Sequence, residues 1–325
     1  MSAADSKSSS DHSGGDKLIC TACGTEFDQP ADKPLSNCEI CDDPRQFIPP
    51  TGQSWTSHSA LLHTHHNVFK PIDDDDSLIS IVTEPKFGIG QRCILICTPQ
   101  GNILWDCISL LDQLTIGFIN SKGGLKGIVI SHPHYYTRHL AWAAAFQCPV
   151  YISAEDASWV QRSDLTGYRR LIDDKTFDLE IIPGVRALKL GGHFPGSLVL
   201  TYQHHLFVAD TIVTVPSGLY AKDRPPGTTS FAFMWSIINM IPLPPKVLFQ
   251  MWMRVKHAKV TVTHGAFVGQ EVRDTDGGGP VMKRILESMK IQVKASGWSA
   301  EESQQAERES GKGWDLPQIL GEEWP

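Results

Sequence analysis

Short apolar runs broken by polar turns recur from about residue 78 to residue 267. Residues 78–82, 92–97 and 103–106 read as strands, and Pro99-Gln100-Gly101-Asn102 reads as a hairpin turn between the last two. A helix over 109–120, a loop over 121–124 and a strand over 127–130 follow. Residues 135–146 read as a helix with Ala141, Ala143, Ala144 and Ala145 available for close packing, then a strand over 149–153 and a helix near 154–161. Alternation of strands and helices predicts a layered α/β architecture. In the second half, 185–190, 198–202, 205–210 and 260–265 read as strands. A helix near 281–293 offers Ile285, Leu286, Met289 and Ile291 for packing. Beyond residue 295 the chain turns polar around Trp298, Trp314 and Trp324, which predicts a partly ordered tail without catalytic residues.

Composition narrows the picture. At 325 residues the chain is long enough for one large core and a small appended module. Its 41% hydrophobic and 20% charged residues are those of a soluble globular protein. A formal charge of −7 argues against a general nucleic-acid binder, which would carry a basic stripe. No apolar run reaches the ~20 residues of a membrane span. Residues 1–16 are rich in Ser and Asp and lack the apolar core of a secretory signal, so they read as a disordered tail. Of eight cysteines, four are paired as CxxC and the rest lie singly in or beside apolar runs, which suits a reducing, cytoplasmic compartment.

The paired cysteines are Cys20, Cys23, Cys38 and Cys41. Each CxxC turn offers two thiolates, and two turns complete a tetrahedral site with no open position. Residues 17–56 are therefore expected to be a zinc-ribbon-like module folded by one structural zinc, with iron as the other metal such a site accepts. Phe47 and Trp55 are expected to dock it on the main domain. Residues 57–77 read as a linker: His63-Thr64-His65-His66 imitates a metal motif but follows no strand, and Asp73 to Asp76 suggest a solvated loop.

Four strand ends carry histidine or aspartate. Ile128-Val129-Ile130 runs into Ser131-His132-Pro133-His134, where two imidazoles flank a stiffening proline. At i and i+2 of extended backbone, both rings would project to one side. His193 lies in Gly191-Gly192-His193-Phe194-Pro195-Gly196-Ser197, a turn whose backbone freedom lets a side chain be aimed. Leu206 and Val208 share a face with Asp210, a carboxylate that wants a cation if buried. Residues 260–263 lead to His264 and Gly265. Asp106, at another strand end, is either the N-cap of the next helix or an acceptor that orients a ligand histidine.

That order of HxH, GHxPGS-like turn, strand-terminal AD and late HG resembles the metallo-β-lactamase superfamily. The resemblance covers roughly residues 78–267. Asp43-Pro44-Arg45-Gln46, residues 52–56 and Ser131-His132-Pro133-His134-Tyr135-Tyr136 look like a branch with a CxxC/CxxC leader. It implies an αββα sandwich over residues 78–295, followed by a tail over 296–325, with the metal at one edge between the sheets. By the family's HxHxDH motif, His132, His134 and His193 form a complete first site, while Tyr136 and Thr137 stand where the second site's aspartate and histidine would be. Asp210, at the bridging position, and His264 are the remaining second-site ligands, so one firmly held zinc is expected, with a second ion weak or absent. His139, two residues displaced, either compensates or is an exposed helical residue. The implied activity is hydrolysis of a small-molecule ester, lactone, thioester or amide, with Asp210 as candidate base. Tyr136 would be a proton donor or a filler of the vacated second-metal space. A catalytically reduced binding protein and an iron-based redox protein are the alternatives. Phe231, Phe233, Met234, Trp235 and Met240 are either core or the mouth of an apolar pocket.

Overall fold

In this computed structural model the described residues are 16–73, 75–220, 225, 227–298 and 318–323. Two sheets carry the main domain. The first has seven strands, in spatial order Arg169–Ile172, Val150–Ser153, Gly127–Val129, Ile103–Trp105, Cys93–Ile96, Asp75–Glu84 and His66–Ile72. Its first four strands run parallel and the remainder antiparallel. The second has six, in order Asp178–Ile182, Val185–Lys189, Leu198–Tyr202, His205–Phe207, Val262–His264 and Glu271–Arg273.

Alternation along each strand explains why the sheets stack. Ile94, Ile96, Ile103, Trp105 and Val129 of the first sheet share a buried cluster with Val185, Ala187, Leu198, Leu200 and Phe207 of the second. Their neighbours point the other way. Leu95, Leu104 and Ile128 pack under helices Gln113–Ser121 and His139–Phe146 through Ile119, Trp142 and Ala143. On the outer face of the second sheet, Leu188, Val199 and Leu206 meet helices Pro245–Val255 and Val281–Ala295. The first of these buries Leu248, Met251, Trp252 and Val255, the i, i+3, i+4, i+7 stripe of a helix lying on a core. Helix, sheet, sheet and helix are thus four layers: the metallo-β-lactamase-like αββα sandwich that the motif order implied.

Several local expectations are corrected. Residues 57–77 are not a linker. Ser57 caps helix His58–Thr64 by accepting from the Ala60 N–H, and His66–Ile72 is the edge strand of the first sheet, paired with Asp75–Glu84. His66, Lys70 and Pro71 give that strand the polar look of an edge, which hides its pairing from a hydrophobic pattern. The helix expected over 109–120 begins only at Gln113, because Asp112 accepts from the Thr115 N–H and caps it there. Ile319 of the C-terminal stretch is buried against the outer helices, whereas Trp314 and Trp324 lie outside the described residues, as do residues 1–15. Phe231 and Phe233 belong to the core, while Met240 is 75% exposed.

The leader folds as strands Lys17–Cys20, Glu26–Pro30 and Trp55–Thr56 around its four cysteines. Trp55 packs within it, edge-on to Phe27, and Phe47 is 46% exposed, so neither docks the module. Polar contacts do. Buried Glu26 pairs with Arg138 and Arg162, its N–H donates to the Thr137 carbonyl, and Ser109 Oγ donates to the Gly24 carbonyl.

Candidate metal centre

Strand Gly127–Val129 delivers His132 in extended backbone, but the chain then tightens into a 3-10 turn, Pro133–Tyr135. The two rings therefore converge through the turn rather than by strand alternation. His132 presents Nε2 and His134 presents Nδ1. The third ring comes from the loop after Val185–Lys189, where Gly191 and Gly192 hold φ of +72° and +95°. A Cβ on Gly192 would lie 2.6 Å from Thr211 Oγ1, so glycine is required there by space as well as by backbone. Asp210 follows strand His205–Phe207.

These four residues come together. His193 Nε2 lies 3.3 Å from His134 Nδ1. Asp210 Oδ2 lies 3.3, 3.6 and 3.8 Å from His132 Nε2, His134 Nδ1 and His193 Nε2. A tetrahedron with metal–nitrogen bonds of ~2.0–2.1 Å has edges of ~3.3–3.4 Å. The observed separations are close to that. His132 Nε2 is buried and makes no hydrogen bond of acceptable geometry despite its nearness to the carboxylate, as expected of a lone pair aimed at a common centre. The residues present fit a divalent metal.

Two of the three rear nitrogens are anchored, while His134 Nε2 is buried without a hydrogen-bond partner. His193 Nδ1–H donates to the Met234 carbonyl at 3.2 Å, which leaves Nε2 as the lone-pair nitrogen. His132 Nδ1 pairs with Ser131 Oγ at 2.9 Å, and Ser131 in turn donates its N–H to Asp106 Oδ1 at 2.7 Å. Asp106 is therefore the orienting acceptor, acting through Ser131, and not a helix cap. Burial pushes its carboxyl up to about 7. Burial also lowers His134 to about 4 and holds His193 well below the usual imidazole range, so both rings are neutral at pH 7. For Asp210, burial works upward, but the imidazoles gathered around it, His132 first, outweigh that and hold the carboxyl well below the usual carboxylate range. Imidazole nitrogens with one carboxylate are a donor set that suits a divalent cation.

Six other residues are placed elsewhere. His264 does not join the cluster: its Nε2 meets His205 Nδ1 at 2.9 Å and its Nδ1 lies 3.7 Å from Glu271. Tyr136 is 1% exposed in the core beneath the helices and donates its hydroxyl to the Asp156 carbonyl at 3.2 Å. Its hydroxyl is committed to that carbonyl, and it is not among the four convergent donors. His139 is neither a compensating ligand nor exposed; it is buried, with Nδ1 on the Tyr136 carbonyl and Nε2 accepting from Arg169 at 3.0 Å. His63, His65 and His66 lie outside both metal-ligand groups.

Among the described residues, the second group of convergent donors is Cys20, Cys23, Cys38 and Cys41. Cys20 and Cys41 sulfurs are 3.7 Å apart, as are those of Cys23 and Cys38. All four are free thiols, and a tetrahedron of ~2.3 Å metal–sulfur bonds has edges of ~3.8 Å. Gln53 Nε2 donates to Cys20 Sγ at 3.3 Å, and hydrogen bonds from the other three thiols hold the Cys20 thiol below its ordinary range.

Sequence reasoning missed three contributors: Ser131 as relay, the Met234 carbonyl and Arg45. Arg45 Nη1 donates to the His193 carbonyl at 3.2 Å across 148 residues of chain, a contact no local spacing announces.

No protein-family model matches the chain. The Bacillus subtilis protein YmaE is 38% identical over 251 residues, covering 77% of this chain and 88% of YmaE. Solved structures with a similar course include the mono-zinc form of the FIM-1 metallo-β-lactamase from Pseudomonas aeruginosa, 14% identical with a TM-score of 0.47 over 71% of this chain and 96% of that one. A metallo-β-lactamase from Hirschia baltica is 12% identical with a TM-score of 0.44 over 69% and 97%. TTHA1623 in a di-iron-bound form is 16% identical with a TM-score of 0.41 over 59% and 94%. At such scores the fold rests on the chain's own layers and ligand positions, while kinship rests on YmaE. The chain belongs to the same family as YmaE, and its helix–sheet–sheet–helix layers bring together His132, His134, His193 and Asp210.

Proposed function

We propose that this protein is a metal-dependent hydrolase of a small-molecule ester, lactone, thioester or amide, working at one zinc held by His132, His134, His193 and Asp210. The observation that carries the reading is the spacing of those four donor atoms, whose closest pairs are 3.3 Å apart, with the rear nitrogens of His132 and His193 already anchored. Zinc in that position would supply Lewis acidity toward a carbonyl oxygen and lower the pKa of a water toward ~7. The chain's own residues do the rest. Four protein donors fill a tetrahedron, so the attacking water would need a fifth position beside them. Asp210 gives one oxygen to the cluster, and its other oxygen is the candidate base that takes a proton from that water. Ser131 and Met234 keep the rings from turning. His264 and Tyr136 supply nothing to a second ion, in keeping with a mononuclear site. All eight cysteines are free thiols, which suits work in a reducing compartment such as the cytoplasm.

Metal analysis of the full chain beside His193→Ala, with a panel of esters, lactones and thioesters, tests this. Two zinc ions per chain are expected in the wild type and one in the variant, the cysteine-bound ion remaining. Hydrolysis should vanish with the lost ion. Equal metal content in the two proteins, or turnover that survives the substitution, would overturn the assignment. Iron with visible absorption in place of zinc would redirect it to redox chemistry.

A further inference from the structure

The segment that follows Cys41 does more than close the cysteine module. Asp43 grips the Arg45 guanidinium in a two-pronged pair, Nε to Oδ1 at 2.6 Å and Nη2 to Oδ2 at 2.9 Å. So held, Arg45 lies over the Phe194 ring at 3.8 Å and donates Nη1 to the His193 carbonyl at 3.2 Å. Next to it, the Pro44 carbonyl accepts from Ser236 Oγ and Asn239 Nδ2, both at 2.6 Å. Those two residues belong to the hairpin whose strand Met234–Ser236 offers the Met234 carbonyl to His193 Nδ1. The leader thus touches one metal ligand twice, on its backbone and through the acceptor that fixes its ring.

Docking alone does not call for this arm, since Glu26 with Arg138 and Arg162, and Ser109 with Gly24, already tie the leader to the main domain. His193 is also the ligand with most to gain, because two glycines with positive φ precede it. We propose that Arg45 is a positioning residue: through it the cysteine module sets the His193 ring and thereby the metal affinity of the histidine centre. The two metal sites are then coupled, and emptying the cysteine site loosens the other. This inference rests on the reading that the histidine centre binds metal.

The test uses the full chain loaded with cobalt(II), whose thiolate charge-transfer bands report the cysteine site and whose weaker visible bands report the histidine site. Arg45→Ala is expected to weaken the histidine site about 10–100-fold in chelator competition. Its visible bands should shift while the charge-transfer bands stay unchanged. Added methylguanidinium should restore part of the affinity, which a merely loosened fold would not allow. Arg45→Lys keeps the charge but loses the fork, and should recover less than half of the loss on a logarithmic scale. Cys38→Ser, approached from the other site, should weaken the histidine centre in the same direction. If Arg45→Ala does not fold, Asp43→Asn, which frees the fork and leaves the guanidinium, must give the same shift. Wild-type affinity and spectrum at the histidine site in the variant that folds would overturn the coupling. A wild type whose histidine site takes up no cobalt would instead defeat the hydrolase reading beneath it.

Discussion

Asp106 is 1% exposed and sits at φ +64°, a backbone region that costs most side chains about 1 kcal/mol or more. It is kept there by the Ser131 N–H, and through Ser131 it fixes the face of His132. What the relay needs from Asp106 is an acceptor oxygen, not a charge. Asn tolerates positive φ and carries the same oxygen, so Asp106→Asn should leave the affinity of the histidine centre close to wild type. Asp106→Ala, which leaves Ser131 without its partner, should cost about 10–100-fold. Chelator competition on the two variants decides it; equal losses would mean that charge, not acceptance, is what counts. At this scale much was legible. His132, His134, His193 and Asp210 each follow an apolar run, so a sequence can show that they stand at strand ends. His264 looks identical by that rule, yet its ring turns toward His205 and Glu271. Which way a strand-terminal side chain faces is decided by the sheet pairing beside it, here with His205–Phe207, and no local pattern contains that.

The elements show the same division. Buried strands of the two sheets announced themselves by uninterrupted apolar residues, whereas edge strand His66–Ile72 did not, because one side of it meets water. The leader's cysteines were readable from spacing alone, but its attachment was not. Part of that attachment is Glu26, a carboxylate 3% exposed between Arg138 and Arg162, residues more than 100 positions away. Glu26→Gln keeps the size and removes the charge, leaving two guanidinium groups crowded at a largely buried seam. It should destabilise the docked state by on the order of 3 kcal/mol, as removal of one member of a buried ion pair does. Denaturant unfolding followed by tryptophan fluorescence measures the loss, with Trp55 inside the module. A change under about 0.5 kcal/mol, the size typical of exposed pairs, would show that the seam is wet and the module held elsewhere.

For the whole molecule, the buried titratable groups set how the metal-free protein answers to acid. Burial is the first cause that lowers His58, His134, His139 and His205, each to about 4. Free imidazoles in the unfolded chain titrate near ~6.5. Between about 4 and 6.5 the unfolded chain therefore binds more protons than the native one, and stability rises with pH across that window. Two carboxyls oppose it: burial raises Asp106 to about 7 and Asp156 to about 6, so the native state holds their protons longer and loses stability as pH climbs toward those values. With His193 and His264 also lowered by burial, six imidazoles outnumber two carboxyls, so the balance below 6.5 favours the histidines. The melting temperature of the chelator-stripped chain should fall steadily from pH 6.5 to pH 4.5 and change much less between 6.5 and 7.5, where the last unfolded-state imidazole protons and the Asp106 proton work against each other. His139 isolates one contribution, because its neutral Nε2 accepts from Arg169 at 3.0 Å and a proton there would set two cations against each other. Gln at this position offers an oxygen to Arg169 and never titrates. His139→Gln should therefore flatten the acid slope of the melting curve, and an unchanged slope would show that this ring takes up its proton without opening the fold.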